Sequence, residues 1–180
     1  MELLEPQTER LSLRRWRDED RAVFAAMNAD QEVMRYFPKR LSRAESDAFM
    51  DRILAEMDEC GWGLYAVERR EDGAMIGMVG LHRFDFGDIA SGVEVGWRLN
   101  RRYWGMGYAS EAAAACLDMA GMLGMERVYS FTAGINVPSR RVMERIGMEY
   151  AGQFDHPALA ADDPLCRHVL YRKEFCRQIL

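Results

Sequence analysis

The chain lacks any apolar run approaching the ~18 residues that a membrane span needs. Its first residues, Met1-Glu-Leu-Leu-Glu-Pro6, lack the basic start and apolar middle of an export signal. Cysteine is scarce, and Cys60, Cys116, Cys166 and Cys176 show no metal-ligand spacing. Free thiols in a cytoplasmic protein without a metal are the expectation. No lysine stands in a Gly-Lys-Ser/Thr arrangement, which excludes the nucleotide P-loop. Excess positive charge is missing too. The formal charge of −5 argues against a nucleic-acid surface and is compatible with a cationic substrate. No repeat, linker or low-complexity tract interrupts the 180 residues, so one domain over residues 1–180 with a sizeable core is expected.

What is present is organised around Val93 to Leu123. Val93, Val95, Trp97 and Leu99 alternate with Glu94, Gly96 and Arg98, the period of a strand. From Tyr108 to Leu123 nearly every position is apolar or small, as in a helix buried on a sheet. Between them lies Arg102-x-x-Gly105-x-Gly107. The glycines allow turn dihedrals and close approach of a ligand. The first amides of the helix have no internal partner and lie at the positive end of its dipole, a place that binds phosphate. Arg102 adds a fixed positive charge. A glycine-rich strand-to-helix turn with no ligand has the same local sequence. A dinucleotide fingerprint does not fit, because Ser110 stands where its third glycine belongs and Glu126 precedes the next strand instead of ending it.

Taken in order, Thr8–Trp16 is predicted to be a strand and Asp18 to cap a helix with Val23, Phe24 and Met27 on one face. Glu32–Phe37 is predicted as a short helix stopped by Pro38. Ser42-x-x-Glu45 is a capping box, followed by Phe49, Met50, Ile53, Leu54 and Met57 on one face. Strands are expected at Trp62–Arg69, Ala74–Arg83 and Gly92–Leu99, the first two joined by the hairpin signal Glu71-Asp72-Gly73. Arg127–Ala133 should run parallel to Gly92–Leu99, since a helix joins them. Asn136 can cap a helix with Val142, Met143 and Ile146 inward and Gly147 at its stop. Strands at Met148–Phe154 and Arg167–Phe175 close the chain.

The order strand, Arg-x-x-Gly-x-Gly, helix resembles the pyrophosphate loop of the GCN5-related N-acetyltransferases (GNAT). Asn136-x-x-Ser139-x-x-Val142-x-x-x-x-Gly147-Met148 is similar to a second motif of the branch that includes the ribosomal-protein N-terminal acetyltransferases. Thr8-Glu-Arg-Leu-x-Leu-Arg, Val33-Met-Arg-Tyr and Tyr103-Trp-Gly-x-Gly-Tyr-Ala-x-Glu111-Ala extend the match over about residues 8 to 175. The resemblance implies an α/β fold: a mixed, mostly antiparallel sheet, helices on both faces, and a V-shaped opening between the two parallel strands. It implies acetyl-coenzyme A as co-substrate. Pantetheine would bond to backbone around Trp97, Arg98 and Leu99. Pyrophosphate would lie on the amides from Arg102 through Trp104, Gly105, Met106, Gly107, Tyr108 and Ala109. Asn136 would bond pantetheine, and Arg140 or Arg141 the adenosine phosphates.

Acetyl transfer by direct attack needs a neutral amine, a polarised thioester and a protonated leaving thiolate. In this branch a serine can hold the place beside the sulfur, and Ser139 matches it as a hydrogen-bond donor; it equally suits a first-turn helix residue. Glu94 is the candidate base if burial raises its pKa, with a solvent-facing strand residue as the bland alternative. His82, Asp85 and His156 are rivals, and His168 reads as a plain strand residue. Arg35–Phe37, Phe84–Ser91 and Asp155–Pro164 would choose the acceptor, with Tyr36, Phe37, Phe84 and Phe86 as pocket walls or core anchors. The acceptor would be a primary amine, a small molecule or a protein N-terminus, and the protein a monomer or homodimer. The alternative is a non-catalytic acyl-CoA-binding module.

Overall fold

A computed structural model describes residues 3–175. Its centre is one seven-stranded sheet in the order β1-β2-β3-β4-β5-β7-β6. The strands are β1 (Leu11–Arg14), β2 (Leu64–Arg69), β3 (Met75–Asp85), β4 (Ser91–Leu99), β5 (Arg127–Ala133), β6 (Glu149–Asp155) and β7 (Arg167–Glu174). Every neighbouring pair is antiparallel except β4 and β5, joined in parallel through a helix as their connection requires.

The helices are α1 (Asp20–Ala29), α2 (Arg43–Cys60), α3 (Tyr108–Met122) and α4 (Val137–Arg145). The capping box of α2 is complete: Ser42 accepts from the Glu45 amide, and Glu45 accepts from the Ser42 amide. Met50, Ile53 and Met57 are buried on its inner face, worth about 1.5–3 kcal/mol each relative to exposure. Helices α1 and α2 cover the sheet face that carries Glu94 and Arg98, since Asn28 of α1 bonds Arg98 and Glu56 of α2 bonds His82. Helix α3 covers the face that carries Val95 and Trp97, where Tyr65 bonds Met119.

Four local expectations are corrected. Glu32–Phe37 forms turns, not a helix. Asp30 Oδ1 accepts from the amides of Glu32 and Val33, which competes with helical bonding. Asp18 does not cap α1; the N-cap is Glu19, with no side-chain bond. Asp20 instead turns inward to a buried ion pair with Arg14 at 2.8 Å. Val23 lies outside the core, 39% exposed. Helix α3 is buried along one face only, with Met122 at 82% exposure on the other.

Cys60, Cys116 and Cys166 are free and buried, whereas Cys176 lies outside the described residues. Among the described residues no helix is long and apolar enough to cross a membrane.

Candidate active site

Strands β4 and β5 pair only at Glu94 and Tyr129. Each is fully occupied on its other edge, β4 by β3 and β5 by β7. Beyond Glu94 the parallel pair separates. A cleft of about 600 Å³ lies there, lined from β4 by Glu94 and residues 96–99 and from β5 by Ser130, Phe131 and Thr132.

Two helix N-termini face this cleft. The chain leaves β4 through a short 3₁₀ turn at Arg101–Tyr103 and enters α3 at Gly107. Gly105 and Gly107 have φ of 75° and 82°, a conformation that side-chain-bearing residues resist. Gly107 supplies no side-chain cap to α3. Ser110, in the first turn, has a buried hydroxyl without a partner. Trp104, Gly105, Gly107, Tyr108 and Ala109 all line the cleft, whereas Arg102 and Met106 do not. Trp104 Nε1 donates to the Leu99 carbonyl at 2.8 Å and so engages part of the strand end.

The loop is fixed from a distance. Arg10 donates to the Met106 carbonyl at 3.0 Å and to Glu111 of α3 at 2.6 Å. Its guanidinium lies 4.5 Å from the Tyr108 ring centre. Thr8 donates to the other Glu111 oxygen at 2.6 Å. Sequence reasoning placed Thr8, Arg10 and Glu111 in matching motifs but gave the clamp no role.

Helix α4 begins differently. Asn136 is buried and accepts from the Ser139 amide at 3.3 Å. Its Nδ2 donates to Thr132 Oγ1 at 2.8 Å and to Ser139 Oγ at 3.0 Å. Both amide hydrogens are thereby committed, which leaves only lone pairs on Oδ1 for a ligand. Ser139 Oγ accepts from Asn136, so its own O–H is left to donate. Ser139 and Arg141 line the cleft. Arg140 instead donates to the Gly134 carbonyl at 3.2 Å.

Glu94 lies in the cleft wall, partly exposed, opposite His82 in the β3–β4 register. Burial pushes its pKa up to about 7; nearby His82 opposes the rise and Glu56 adds to it. His82 bonds Glu56 at 2.7 Å, and that bond raises the imidazole pKa. Burial works against the Glu56 charge, but hydrogen bonds from His82 and the Arg83 amide hold its pKa below the usual value. His82 does not line the cleft, and neither does Asp85, which accepts from the Gly87 amide in a turn. His156 does line it, as does His168, which sequence reasoning set aside. Their rings are 4.8 Å apart, and burial lowers both pKa values.

Tyr36 and Phe37 line the cleft from the turn after α1. Phe84 and Phe86 do not; half-buried, each packs at 5.1 Å on Phe131, whose ring lines the cleft, so they support its wall from behind. Among the described residues no group of three or more His, Cys, Asp or Glu side chains is placed to hold a metal ion.

Comparison with known proteins supplies the family. The model of the acetyltransferase (GNAT) domain matches residues 10–149. The uncharacterized N-acetyltransferase YnaD of Bacillus subtilis is 30% identical over 149 residues, covering 82% of this chain and 84% of its own. A GNAT-family acetyltransferase of Bacillus anthracis superposes with a TM-score of 0.80 at 25% identity, covering 95% of this chain and 98% of the other. RimL, the ribosomal L7/L12 alpha-N-protein acetyltransferase solved with coenzyme A, has the same fold: TM-score 0.74, 16% identity, and coverage of 94% and 97%. An open parallel strand pair flanked by two helix N-termini is thus the framework of a known enzyme class, and this chain belongs to the GNAT family of acetyltransferases.

Proposed function

We propose that the chain, as a single catalytic domain, moves the acetyl group of acetyl-coenzyme A to a primary amine by direct attack in a ternary complex. The observation that carries this is the cleft itself: an unpaired β4 edge, an uncapped α3 N-terminus and a donor hydroxyl at the start of α4 converge on one space. A phosphate fits the first turn of α3, because the glycines leave its amides uncovered and nothing lies within 4 Å of a side-chain position on Gly105. The amides from Arg102 through Trp104, Gly105, Met106, Gly107, Tyr108 and Ala109 would hold pyrophosphate. Backbone of Trp97, Arg98 and Leu99 would hold pantetheine, with Asn136 Oδ1 as a further acceptor. Arg141 would meet the adenosine phosphates. When bound, acetyl-coenzyme A supplies an activated thioester.

The residues of this chain do the rest. Glu94, with its pKa raised to about 7, is poised to accept a proton from an ammonium group near neutral pH, directly or through water. His82 and Glu56 stand behind it and hold a second titratable pair against the same strand face. Ser139, oriented by Asn136, donates a hydrogen bond toward the cleft, where it would stabilise a departing thiolate. A small amine and a protein N-terminus both satisfy this chemistry.

The test is an acceptor screen with thiol release as readout. Release that depends on an amine and collapses in Glu94→Gln supports the proposal. Tight acetyl-coenzyme A binding with no amine acetylated would leave a non-catalytic acyl-CoA-binding module.

A further inference from the structure

Two arginines of this protein are equally buried and differently served. Arg14 is 8% exposed and bonds two carboxylates, Asp20 at 2.8 Å and Glu68 at 2.6 Å. Arg98 is 9% exposed, and among the described residues no carboxylate lies within ion-pair distance of it. Its Nη1 donates to Asn28 Oδ1 at 2.6 Å, and Asn28 is itself held by Ser46 at 2.9 Å. The Phe37 ring lies 4.1 Å from the guanidinium carbon, and Nε has no partner. Burial draws the Arg98 pKa down to about 10, which still leaves a full charge at neutral pH. A buried, uncompensated cation is costly to keep. Unlike Arg14, Arg98 lines the cleft.

Arg98 also shares its strand face with Glu94, four residues away, about 13 Å along a strand. Gly96 lies between them. A side-chain carbon on Gly96 would meet only Glu94 Oε1, at 3.8 Å. The Glu94 carboxylate therefore leans over a bare stretch of strand toward Arg98. The cleft lining holds Arg35, Arg98, Arg141 and Arg145 against Glu32 and Glu94, in a chain whose net charge is −5.

We infer that the acceptor is an amine that also carries a carboxylate: its amine meets Glu94, its carboxylate pairs with Arg98, and its chain crosses the open floor at Gly96. The guanidinium fork suits a carboxylate better than an ammonium would. This rests on the acetyl-transfer reading and narrows it, and it replaces the cationic acceptor that the overall charge allowed.

The test uses the purified protein with acetyl-coenzyme A and matched pairs of acceptors: ω-amino carboxylates of graded length and their primary amides. The wild type is expected to favour the carboxylate of the best-fitting length by at least about tenfold in kcat/KM. Arg98→Met should bring that ratio close to one, and Arg98→Lys should restore part of it. Gly96→Val should raise KM for the amino carboxylate by filling the floor. Equal use of carboxylate and amide by an active wild type would overturn the inference and leave acetyl transfer standing. So would an Arg98→Met effect confined to the KM of acetyl-coenzyme A, which would assign the charge to the cofactor. Failure of the wild type to bind acetyl-coenzyme A would instead overturn the reading beneath. Should Arg98→Met not fold, the wild-type pairs decide the question alone.

Discussion

Helices α3 and α4 each follow a strand of the open pair and each point an N-terminus at the cleft, yet they are finished in opposite ways. Helix α3 starts at Gly107, in the left-handed region, with no side-chain cap. Helix α4 starts at Asn136, whose side chain accepts from the Ser139 amide. The first leaves backbone donors for an anion. The second satisfies its donors internally and spends the arrangement on aiming one hydroxyl. The same topological position thus yields a binding end and a chemical end. The residue at the cap, glycine or asparagine, decides which.

The largest effect should come from giving α3 the kind of cap that α4 has. Gly107→Asp places a carboxylate over the open amides. Aspartate tolerates a positive φ better than most residues, and its side-chain carbon would lie 3.5 Å from Arg10 Nη2, an ordinary contact. The fold should survive, while the dissociation constant for acetyl-coenzyme A, measured by calorimetry, should rise by more than about a thousandfold, ~4 kcal/mol. Unchanged affinity would break the comparison.

Glu94 lies where the two arms meet. Glu94→Gln should lower kcat by about a hundredfold or more at neutral pH. In the wild type the rate should fall as pH drops below about 7, and the variant should lose that limb. Stability carries the opposite sign. Unfolded glutamate titrates near 4.3, so from there up to about 7 the folded chain holds the extra proton and stability declines as pH rises. Glu94→Gln should therefore melt higher than the wild type above about pH 7, and at the same temperature below about pH 4.

A smaller effect is expected at the chemical end. Ser139→Ala should reduce kcat by about tenfold or more while the affinity for acetyl-coenzyme A stays within about twofold. Equal turnover would reduce Ser139 to a helix residue. The smallest is Asn136→Ala, which should cost about 1 kcal/mol of stability as a lost cap, seen in thermal melts. It should also lower kcat, because Ser139 loses the group that orients it.

Much of this was legible in the sequence because the signals were local. Ser42 and Glu45, Gly105 and Gly107, and Asn136 with Ser139 state their geometry within a few residues. The bounds of β5 and its parallel relation to β4 followed from a strand–helix–strand connection. Other features depended on residues distant in the chain. Val33, Met34 and Phe37 have helical spacing, but the Asp30 side chain bonds local amides and Phe37 is drawn over Arg98, 61 residues further along the chain. The insertion of β7 between β5 and β6 is a pairing choice that periodicity does not encode. The sequence marked Arg98 for its backbone; that its side chain is buried without a counter-ion emerges only when α1, Phe37 and β4 are brought together. Arg10, likewise, reaches Glu111 only in the folded chain.

The most direct measurement is a calorimetric titration of the protein with acetyl-coenzyme A, with NAD as the control. Roughly micromolar binding of acetyl-coenzyme A and none of NAD is the expected result. No binding of acetyl-coenzyme A, or a preference for NAD, would make the Arg102–Gly107 loop a structural turn and contradict the assignment of the cleft.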